Sequence, residues 1–415
     1  MGARSNALAA LSFVSLSLLA PDARAQLARF ETAHTVYHES PTRTNMTVYT
    51  PGASIAVSPT EWLGIRGGYE ADVVSGATVA VKAGSAYQAT NPGADVITTA
   101  SVRDLRHSPT GQVTLKKGDT SYAFAYTYST ENDYRSHNLY VAARTDAYEH
   151  NTQFELSYAR NWDGVCDRIQ GVNDRPPRFR ALEDSSGCFT GDAINRTRRS
   201  LGIDGFQATW SQAWTPTFVT QLVYTAQILD GFQSNPYRAV ILGQGLKAQE
   251  HHPDDRARQS IALRGNLFVR PIKTAFRLGG RVYRDTWDIV SGTVDAEAER
   301  YFFEGFRGAV RARYYRQGGA VFWSDDYTGG APPLGPKGQY WTGDRELSPF
   351  WSMLLGFRAT YALEPAKKIG GFISAVKASV SGDTIAFDYS EFTLGGVPIT
   401  NARAFIVGAQ FGMAF

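Results

Sequence analysis

The chain has 415 residues and a formal net charge of +3, and aromatic residues make up 13% of it. So small a charge on so long a chain, without a basic run that carries interleaved aromatics, argues against nucleic-acid binding. Beyond the amino-terminal segment, no apolar stretch approaches the ~20 residues that a membrane-spanning helix needs. A mean hydropathy of −0.27 therefore leaves two classes, a soluble all-β protein or a transmembrane β-barrel, whose strands give only a weak signal.

Residues 1–25 have the three parts of a secretory signal peptide. Arg4 supplies the charged start, residues 7–20 are apolar, and Ala23-Arg24-Ala25 has the form of a cleavage site. The apolar run is too short to span a bilayer as a helix. We therefore expect residues 26–415 to form one exported domain.

From Arg29 onward, extended segments alternate with turns, and no helical period persists over a helix-length window. The clearest strand has Tyr122, Phe124, Tyr126 and Tyr128 alternating with small or polar residues. A bulky apolar face opposite a small or polar face is typical of a strand with lipid outside and a lumen inside. The same alternation recurs in residues 63–73, 139–144, 153–158, 206–228, 261–282, 294–322, 351–361 and 372–380.

The connections between these segments are predicted to be unequal. Short turns are expected near residues 59, 118, 147, 215, 271, 305 and 365, and longer polar connections near 75–107, 163–199, 230–257, 324–347 and 384–401. Short turns at one rim and long loops at the other are typical of outer-membrane barrels. We therefore predict an all-β, transmembrane, antiparallel up-and-down β-barrel of roughly 16 strands, with short periplasmic turns and long extracellular loops.

The last strand, residues 401–415, ends on an aromatic residue. Phe405, Phe411, Met413 and Phe415 share its apolar face. A terminal aromatic residue that closes such a pattern resembles the signal that bacterial outer-membrane barrels present to their assembly machinery. The segment by itself would also fit an edge strand of a soluble sandwich, but the signal peptide and the unequal connections favour the barrel.

Three short segments resemble the recurring motifs of an uncharacterised family of Gram-negative outer-membrane proteins, domain-of-unknown-function family 3570. They are residues 69–78 (YEADVVSGAT), 283–289 (YRDTWDI) and 313–317 (RYYRQ). The resemblance implies a surface barrel in the outer membrane of a Gram-negative bacterium. It supplies no established activity and no catalytic residues.

Cys166 and Cys188 are the two cysteines of the chain. In an exported protein they predict one disulfide that closes a long loop, with two free thiols as the alternative. The loop also carries acidic residues that could bind calcium, but their spacing does not match an EF-hand loop, and a solvated or lipopolysaccharide-facing loop is favoured. These residues are Asp163, Asp167, Asp174, Asp184 and Asp192.

His251 and His252, followed by Asp254 and Asp255, could ligate a transition metal. Adjacent side chains of an extended segment point in opposite directions, so an exposed loop is favoured and we expect no metal or cofactor. The chain has no G-x-S-x-G, H-E-x-x-H or C-x-x-C-H motif, and we do not expect an enzyme. Surface hydrolases built on barrels nevertheless assemble their sites from strands that are distant in sequence.

The strongest functional signal is the sign of the charges on the inward faces. Charged side chains that face lipid cost several kcal/mol near the midplane, which explains why they lie inside but not why they are basic. The predicted inward cations are Arg66, Arg144, Arg264, Arg270, Arg277, Arg281, Arg307, Arg311, Arg313, Arg358 and Lys377. The predicted inward carboxylates are Glu70, Asp72, Glu155 and Asp285.

A basic wall favours the entry of anions into a water-filled pore. We therefore expect a porin-like passive channel for small anionic or polar solutes. Alternatively, loop carboxylates such as Asp325, Asp326 or Asp383 pair with the arginines, and the plugged barrel acts as a surface scaffold or binds a partner. A lipid-active or proteolytic barrel enzyme is a weaker third hypothesis.

The expected partners follow from the barrel hypothesis. They are outer-membrane lipid, lipopolysaccharide and, during insertion, the barrel-assembly machinery. The scaffold hypothesis adds a periplasmic or surface protein, and no nucleic acid is expected. The sequence leaves the solute and the oligomeric state open.

Overall fold

The computed structural model describes residues 28–40, 46–75, 104–131, 133–168, 188–189, 196–235, 239–241, 247–325, 339–365, 368–394 and 397–415. The predicted signal peptide and Asp174, Asp184, Asp192 and Asp326 lie outside these residues. Among the described residues, no helix has both the length and the apolar character that crossing a membrane requires.

Sixteen strands form one closed antiparallel barrel, which confirms the predicted fold class. The first nine are β1 (Ala28–Ser40), β2 (Met46–Thr60), β3 (Leu63–Ser75), β4 (Asp104–Lys117), β5 (Thr120–Thr130), β6 (Tyr134–Ala147), β7 (Thr152–Arg168), β8 (Arg196–Thr215) and β9 (Phe218–Gly231). A separate hairpin follows, made of β10 (Ala239–Ile241) and β11 (Lys247–Gln249). The barrel continues with β12 (Asp255–Val269), β13 (Thr274–Asp285), β14 (Val290–Phe303), β15 (Phe306–Gln317), β16 (Phe350–Leu363), β17 (Ala375–Leu394) and β18 (Val397–Ala414).

The barrel closes where its first strand pairs with its last. β1 runs antiparallel to β18 from Arg29 opposite Ala414 to Ser40 opposite Arg403. The Phe415 N–H also donates to the Ala28 carbonyl at 2.9 Å. The start of β1 and the carboxy-terminus therefore lie at one rim, the periplasmic rim.

The periplasmic rim carries the tight turns. The connections β2–β3, β4–β5, β6–β7, β8–β9, β12–β13 and β14–β15 all lie there, and each has at most four residues. The expected short turn near residue 365 is wrong, because β16 ends at Leu363 and β17 begins only at Ala375. In the β14–β15 turn, Gly305 has a φ of +76°, and a Cβ there would lie 2.3 Å from the Ala362 carbonyl oxygen. Only glycine fits this turn, because any other side chain would be strained and would also clash.

The opposite, extracellular rim carries the longest connections, together with the short connections β5–β6 and β13–β14. Four of the five expected long connections fall between strand ends, from Ser75 to Asp104, from Arg168 to Arg196, from Gly231 to Asp255 and from Gln317 to Phe350. The expected loop at 384–401 is wrong, because β17 continues to Leu394 and β18 begins at Val397. The polar residues there belong to an irregular pair of strands, whose register shifts between Phe387 and Tyr389 and again before Thr393. Such bulged pairs occur at barrel rims, where polar side chains can face solvent.

The outward faces form an apolar belt. Leu156, Leu278 and Val310 are each about 65% exposed, and large apolar side chains at outward positions surround the barrel. Soluble monomers rarely expose contiguous apolar surface of this extent, so the belt faces lipid. Its members include Ile65, Phe124, Leu139, Phe154, Leu222, Leu263, Val294, Phe357, Val380, Phe405, Val407 and Phe411.

Candidate functional site in the barrel lumen

The inward positions of the strands carry most of the predicted cations. Alternation with the exposed apolar side chains places them on the lumen face of β3, β6, β12, β13, β15, β16 and β17: Arg66, Arg144, Arg264, Arg277, Arg281, Arg307, Arg311, Arg313, Arg358 and Lys377. Arg270 does not belong to this wall. It lies in a 3-10 turn, Arg270–Ile272, at the periplasmic rim, because the chain leaves the β-ladder at Pro271, which has no N–H to donate.

β14 supplies carboxylates that the sequence analysis did not assign to the lumen. Asp295, Glu297 and Glu299 occupy three successive inward positions on this strand. Glu299 binds Arg277 at 2.8 Å and Arg307 at 2.9 Å. The arginine ladders on β13 and β15 therefore have carboxylate partners within the wall itself.

Arg311 makes the best-defined pair of this wall. Its Nε and Nη2 donate to Asp383 Oδ1 and Oδ2 at 2.7 Å and 2.5 Å. A Cβ at position 356, on the strand between them, would lie 1.8 Å from Asp383 Oδ1, so Gly356 permits this approach. Asp383 was expected on a loop that could plug the barrel, but it belongs to β17.

Other ion pairs complete this network. Arg358 contacts Glu297 at 2.8 Å, and Arg313 pairs with Asp295. The loop residue Asp325 accepts hydrogen bonds from the Thr393 N–H and hydroxyl, at 2.9 Å and 2.7 Å. Within the described residues, the carboxylates that pair with Arg277, Arg307, Arg311, Arg313 and Arg358 lie on strands β14 and β17.

The wall remains basic after this pairing. Among the described residues of β12–β17, inward cations outnumber inward carboxylates two to one. The cations are Arg256, Arg258, Arg264, Arg277, Arg281, Arg307, Arg311, Arg313, Arg358 and Lys377. The carboxylates are Asp285, Asp295, Glu297, Glu299 and Asp383.

The opposite wall combines neutral polar side chains with ion pairs, among them Arg106 with Glu70 and Asp72, and Arg144 with Asp146. In a closed barrel of sixteen strands, β5 lies eight positions from β15 and therefore across the lumen from it. Thr110 of β4 and Thr127 of β5 share a hydrogen bond at 2.9 Å, and Asn138 of β6 donates to Asn161 of β7 at 2.5 Å. The lumen therefore has one side with an excess of cations and an opposite side where hydroxyl and amide groups lie beside paired charges.

The connection between β15 and β16 folds into the outer mouth. We call its residues 339–349 the inserted segment. The inward side chain of Gln317 donates through Nε2 to the carbonyls of Glu346 and Ser348, at 3.0 Å and 2.8 Å. The Ala320 N–H donates to the Leu347 carbonyl at 2.8 Å. These bonds hold the inserted segment against the inner face of β15.

Arg345 fastens the inserted segment to β1. Its guanidinium is 4% exposed, lies 2.5 Å from Glu39 and stands over the ring of Tyr389. Burial by itself would lower the pKa of Arg345, but Tyr389, Glu39 and Glu346 together raise it above its ordinary value. Arg345 therefore stays charged, and its pairing with Glu39 offsets the cost of burying that charge.

The other side of the inserted segment binds the β9–β12 connection. Glu250 accepts hydrogen bonds from the Thr342 hydroxyl at 2.9 Å and from the Gly343 N–H at 3.2 Å. His251 and Trp341 exchange backbone hydrogen bonds of 3.0 Å and 2.9 Å. The contacts of the inserted segment thus reach from the β12 side of the barrel round to β1, about half of the circumference.

An apolar cluster supports this arrangement. Its buried members are Trp287, Ile289, Ala320, Phe322 and Leu347. The ring of His252 packs against Trp287 and Phe322, with centroids 5.3 Å and 5.5 Å apart.

The two adjacent histidines have different neighbours. His251 Nδ1 lies 2.5 Å from the Gln339 carbonyl oxygen, whereas His252 Nδ1 lies 3.1 Å from that of Gln233. No group of three or more potential metal ligands occurs within the described part of the chain. The ring of His251 packs against Tyr340 and Trp341, so both histidines contribute to packing around the inserted segment.

Cys166 and Cys188 are joined by a disulfide, with Cα atoms 5.4 Å apart. The ring of Phe189 lies between the guanidiniums of Arg135 and Arg198, 4.7 Å and 4.9 Å from its centre. The disulfide and these contacts fix the chain beside the extracellular end of β7, away from the cationic wall.

The comparisons with known proteins identify a family but no activity. A family model described as "Protein of unknown function (DUF3570)" matches residues 4–371. No curated protein matches the chain.

Several solved structures have a similar course of the chain at very low sequence identity. A bacterial polysaccharide outer membrane secretin is 9% identical, with 95% of this chain and 100% of that chain covered and a TM-score of 0.48. OprB of Pseudomonas putida is 8% identical, with 94% of each chain covered and a TM-score of 0.45. A BenF-like porin from Pseudomonas fluorescens Pf-5 is 7% identical, with 94% and 98% covered and a TM-score of 0.42.

Proposed function

Because this chain belongs to the DUF3570 family, whose function is unknown, we propose an activity from the barrel itself: a porin-like passive channel of the outer membrane for small anionic or polar solutes. The observation that carries the proposal is the two-to-one excess of inward cations over carboxylates on β12–β17. Cations along a pore with low-dielectric walls raise the local concentration of anions. Inward side chains fill a barrel of eight strands, but they leave space for water in one of sixteen.

The inserted segment limits the size of the solute in this proposal. It occupies the outer mouth on the side of β12–β18 and β1, where Arg345 and Glu250 anchor it. Among the described residues, the part of the lumen that the inserted segment leaves uncovered lies toward the wall of β4–β6. Small hydrated solutes fit such a path better than folded or branched ones.

The same inserted segment favours a second candidate function. The inserted segment makes contacts across half of the barrel, including the buried pair of Arg345 and Glu39. A barrel whose lumen is blocked by a plug would need the same kind of contacts. A plugged barrel would serve as a surface scaffold or bind a partner protein.

Single-channel recording in a planar lipid bilayer separates the two candidates. We expect discrete conductance steps and, under a KCl gradient, a reversal potential of the sign that chloride selectivity gives. Stable insertion without current over the accessible voltages would support the plugged barrel. Conductance with cation selectivity would contradict the argument from the basic wall.

A further inference from the structure

Asp285, at the outer end of β13, is fully occupied by its neighbours. Its Oδ2 accepts hydrogen bonds from Arg256 Nε at 2.9 Å, from Arg256 Nη2 and from the Tyr283 hydroxyl at 2.7 Å. Its Oδ1 accepts the backbone N–H groups of Trp287 and Ile289, each at 3.0 Å. The side chain is 0% exposed. A carboxylate with these five bonds has no capacity left for another cation.

Arg258 lies beside this occupied carboxylate without a carboxylate of its own. It stands opposite Asp285 in the register of β12 and β13, two residues from Arg256. Its Nε is buried and has no hydrogen-bond partner. Among the described residues, no carboxylate forms an ion pair with it. A half-buried guanidinium next to a like charge is unfavourable unless an anion compensates it.

Arg281 is a second cation on the same lumen face. It lies on β13 opposite Ala262, and its guanidinium is 5.9 Å from the centre of the Tyr283 ring. The described carboxylates form no ion pair with it either. The backbone positions of Arg258 and Arg281 are about 13 Å apart along the β12–β13 pair. Two extended arginine side chains that point toward each other can bridge this distance. Tyr283 lies between them.

These two cations lie at the inner side of the inserted segment. The guanidinium of Arg256 stacks on Trp287 at 3.8 Å, and Trp287 belongs to the apolar cluster that includes Leu347 of the inserted segment. Arg258 is only half-buried and Arg281 is exposed, so the space between them opens on the lumen.

We propose that Arg258 and Arg281 form an oxyanion-binding site in the outer part of the lumen, which takes a carboxylate or phosphate group. A guanidinium presents two parallel N–H groups that match both oxyanions. The bound group would satisfy the buried donor of Arg258 and offset the repulsion from Arg256. The assignment of this oxyanion to a permeating solute rests on the proposed channel function, whereas the binding itself does not.

Binding to the purified full-length protein in detergent tests the site. Inorganic phosphate and acetate would each be titrated by calorimetry, with tryptophan fluorescence as a second signal because Trp287 lies beside the site. We expect saturable binding of at least one oxyanion, and a loss of affinity of about tenfold or more in Arg258→Gln and in Arg281→Gln, since charged hydrogen bonds are removed. Saturation by phosphate alone would identify a phosphate site, and saturation by acetate a carboxylate site.

Arg284→Gln is the matched control, because Arg284 lies on the same strand but faces outward and is exposed. This variant should bind as the unchanged protein does. Heat-modifiable migration on a gel would show that each variant is a folded barrel. Arg258→Lys keeps the charge but removes the two parallel N–H groups of the guanidinium, so it separates the two contributions to binding.

Two results would overturn the site: no saturable binding of either oxyanion, or equal affinity in folded Arg258→Gln and the unchanged protein. Binding that depends on Arg258 in a protein that passes no current would support the site and reject the channel. An anion-selective current without such binding would reject the site and support the channel.

Discussion

Arg345 of the inserted segment and Glu39 of β1 form a buried ion pair that joins the outer mouth to the seam of the barrel. Glu39 also accepts a hydrogen bond from the Tyr37 hydroxyl at 3.0 Å, so its carboxylate is held in place from its own strand. Between β16, where the inserted segment ends, and β1 lie β17 and β18. The pair therefore joins the inserted segment to a strand that is separated from its own end at β16 by two other strands.

Removal of this pair should release the inserted segment. Loss of one partner of a buried ion pair costs about 3–5 kcal/mol, because the other charge remains buried without compensation. We expect Arg345→Met to increase the single-channel conductance and the current noise. Arg66→Met is the control, since its contact with Glu31 at 3.3 Å is about one-third exposed and should matter less. Unchanged conductance in folded Arg345→Met would show that the inserted segment does not limit the pore.

Anion selectivity should depend on the cations that lack carboxylate partners. Arg264 and Lys377 face the lumen, and within the described chain neither forms an ion pair with a carboxylate. Arg264→Glu together with Lys377→Glu should therefore weaken or invert the reversal potential under a KCl gradient. A swap of Arg311→Asp with Asp383→Arg leaves the net charge unchanged and should preserve the selectivity. If the first double variant keeps the selectivity of the unchanged protein, the cationic wall does not set it.

The arginine ladder of β15 gives a related prediction. Arg311→Glu with Arg313→Glu should also reduce anion selectivity, but at a cost in stability. Each new carboxylate would face Asp383 or Asp295 at ion-pair distance, and like charges repel. The transition temperature should fall together with the selectivity, and both can be measured on the same preparation. A stable, fully anion-selective double variant would contradict both arguments.

The disulfide should be detectable in the intact protein. Proteolytic digests with and without reductant are expected to differ in the peptides that contain Cys166 and Cys188. A loop of this length contributes about 3 kcal/mol in the chain-entropy account, so Cys188→Ser should lower the resistance of the neighbouring loop to proteolysis. Complete labelling of both cysteines by a thiol reagent, without reduction, would exclude the bond.

The carboxy-terminal ring should matter for assembly. The rings of Phe415 and Phe372 are stacked, with their centroids 6.1 Å apart. The backbone N–H of Phe415 donates to the Ala28 carbonyl, where the last strand meets the first. We expect Phe415→Ala to slow insertion into the membrane, as measured by the rate at which the heat-modifiable form appears. Val407→Ala, which trims a lipid-facing side chain in the middle of β18, is the control. Equal rates for Phe415→Ala and the unchanged protein would remove the assigned role.

The sequence by itself determined which face of most strands points into the lumen. Side chains alternate between the two faces of a strand, so the exposed Leu263 and Phe276 place Arg264 and Arg277 in the lumen whatever the strand pairs with. The same rule could have found Asp295, Glu297 and Glu299. The outward residues between them, Ala296 and Ala298, are too small to mark an apolar face. The alternation of bulky apolar and polar side chains is therefore not visible in this part of the sequence.

Only the tertiary structure decided which charges meet. Arg311 and Asp383 are 72 residues apart in the chain, and the register of two strand pairs brings them together. Arg345 reaches Glu39 only because the inserted segment turns inward. Register and loop path depend on the whole closed barrel, which the local alternation of side chains does not encode. The sequence therefore predicted a basic lumen, and the closed fold determined which of its cations are neutralised and which remain for an anion.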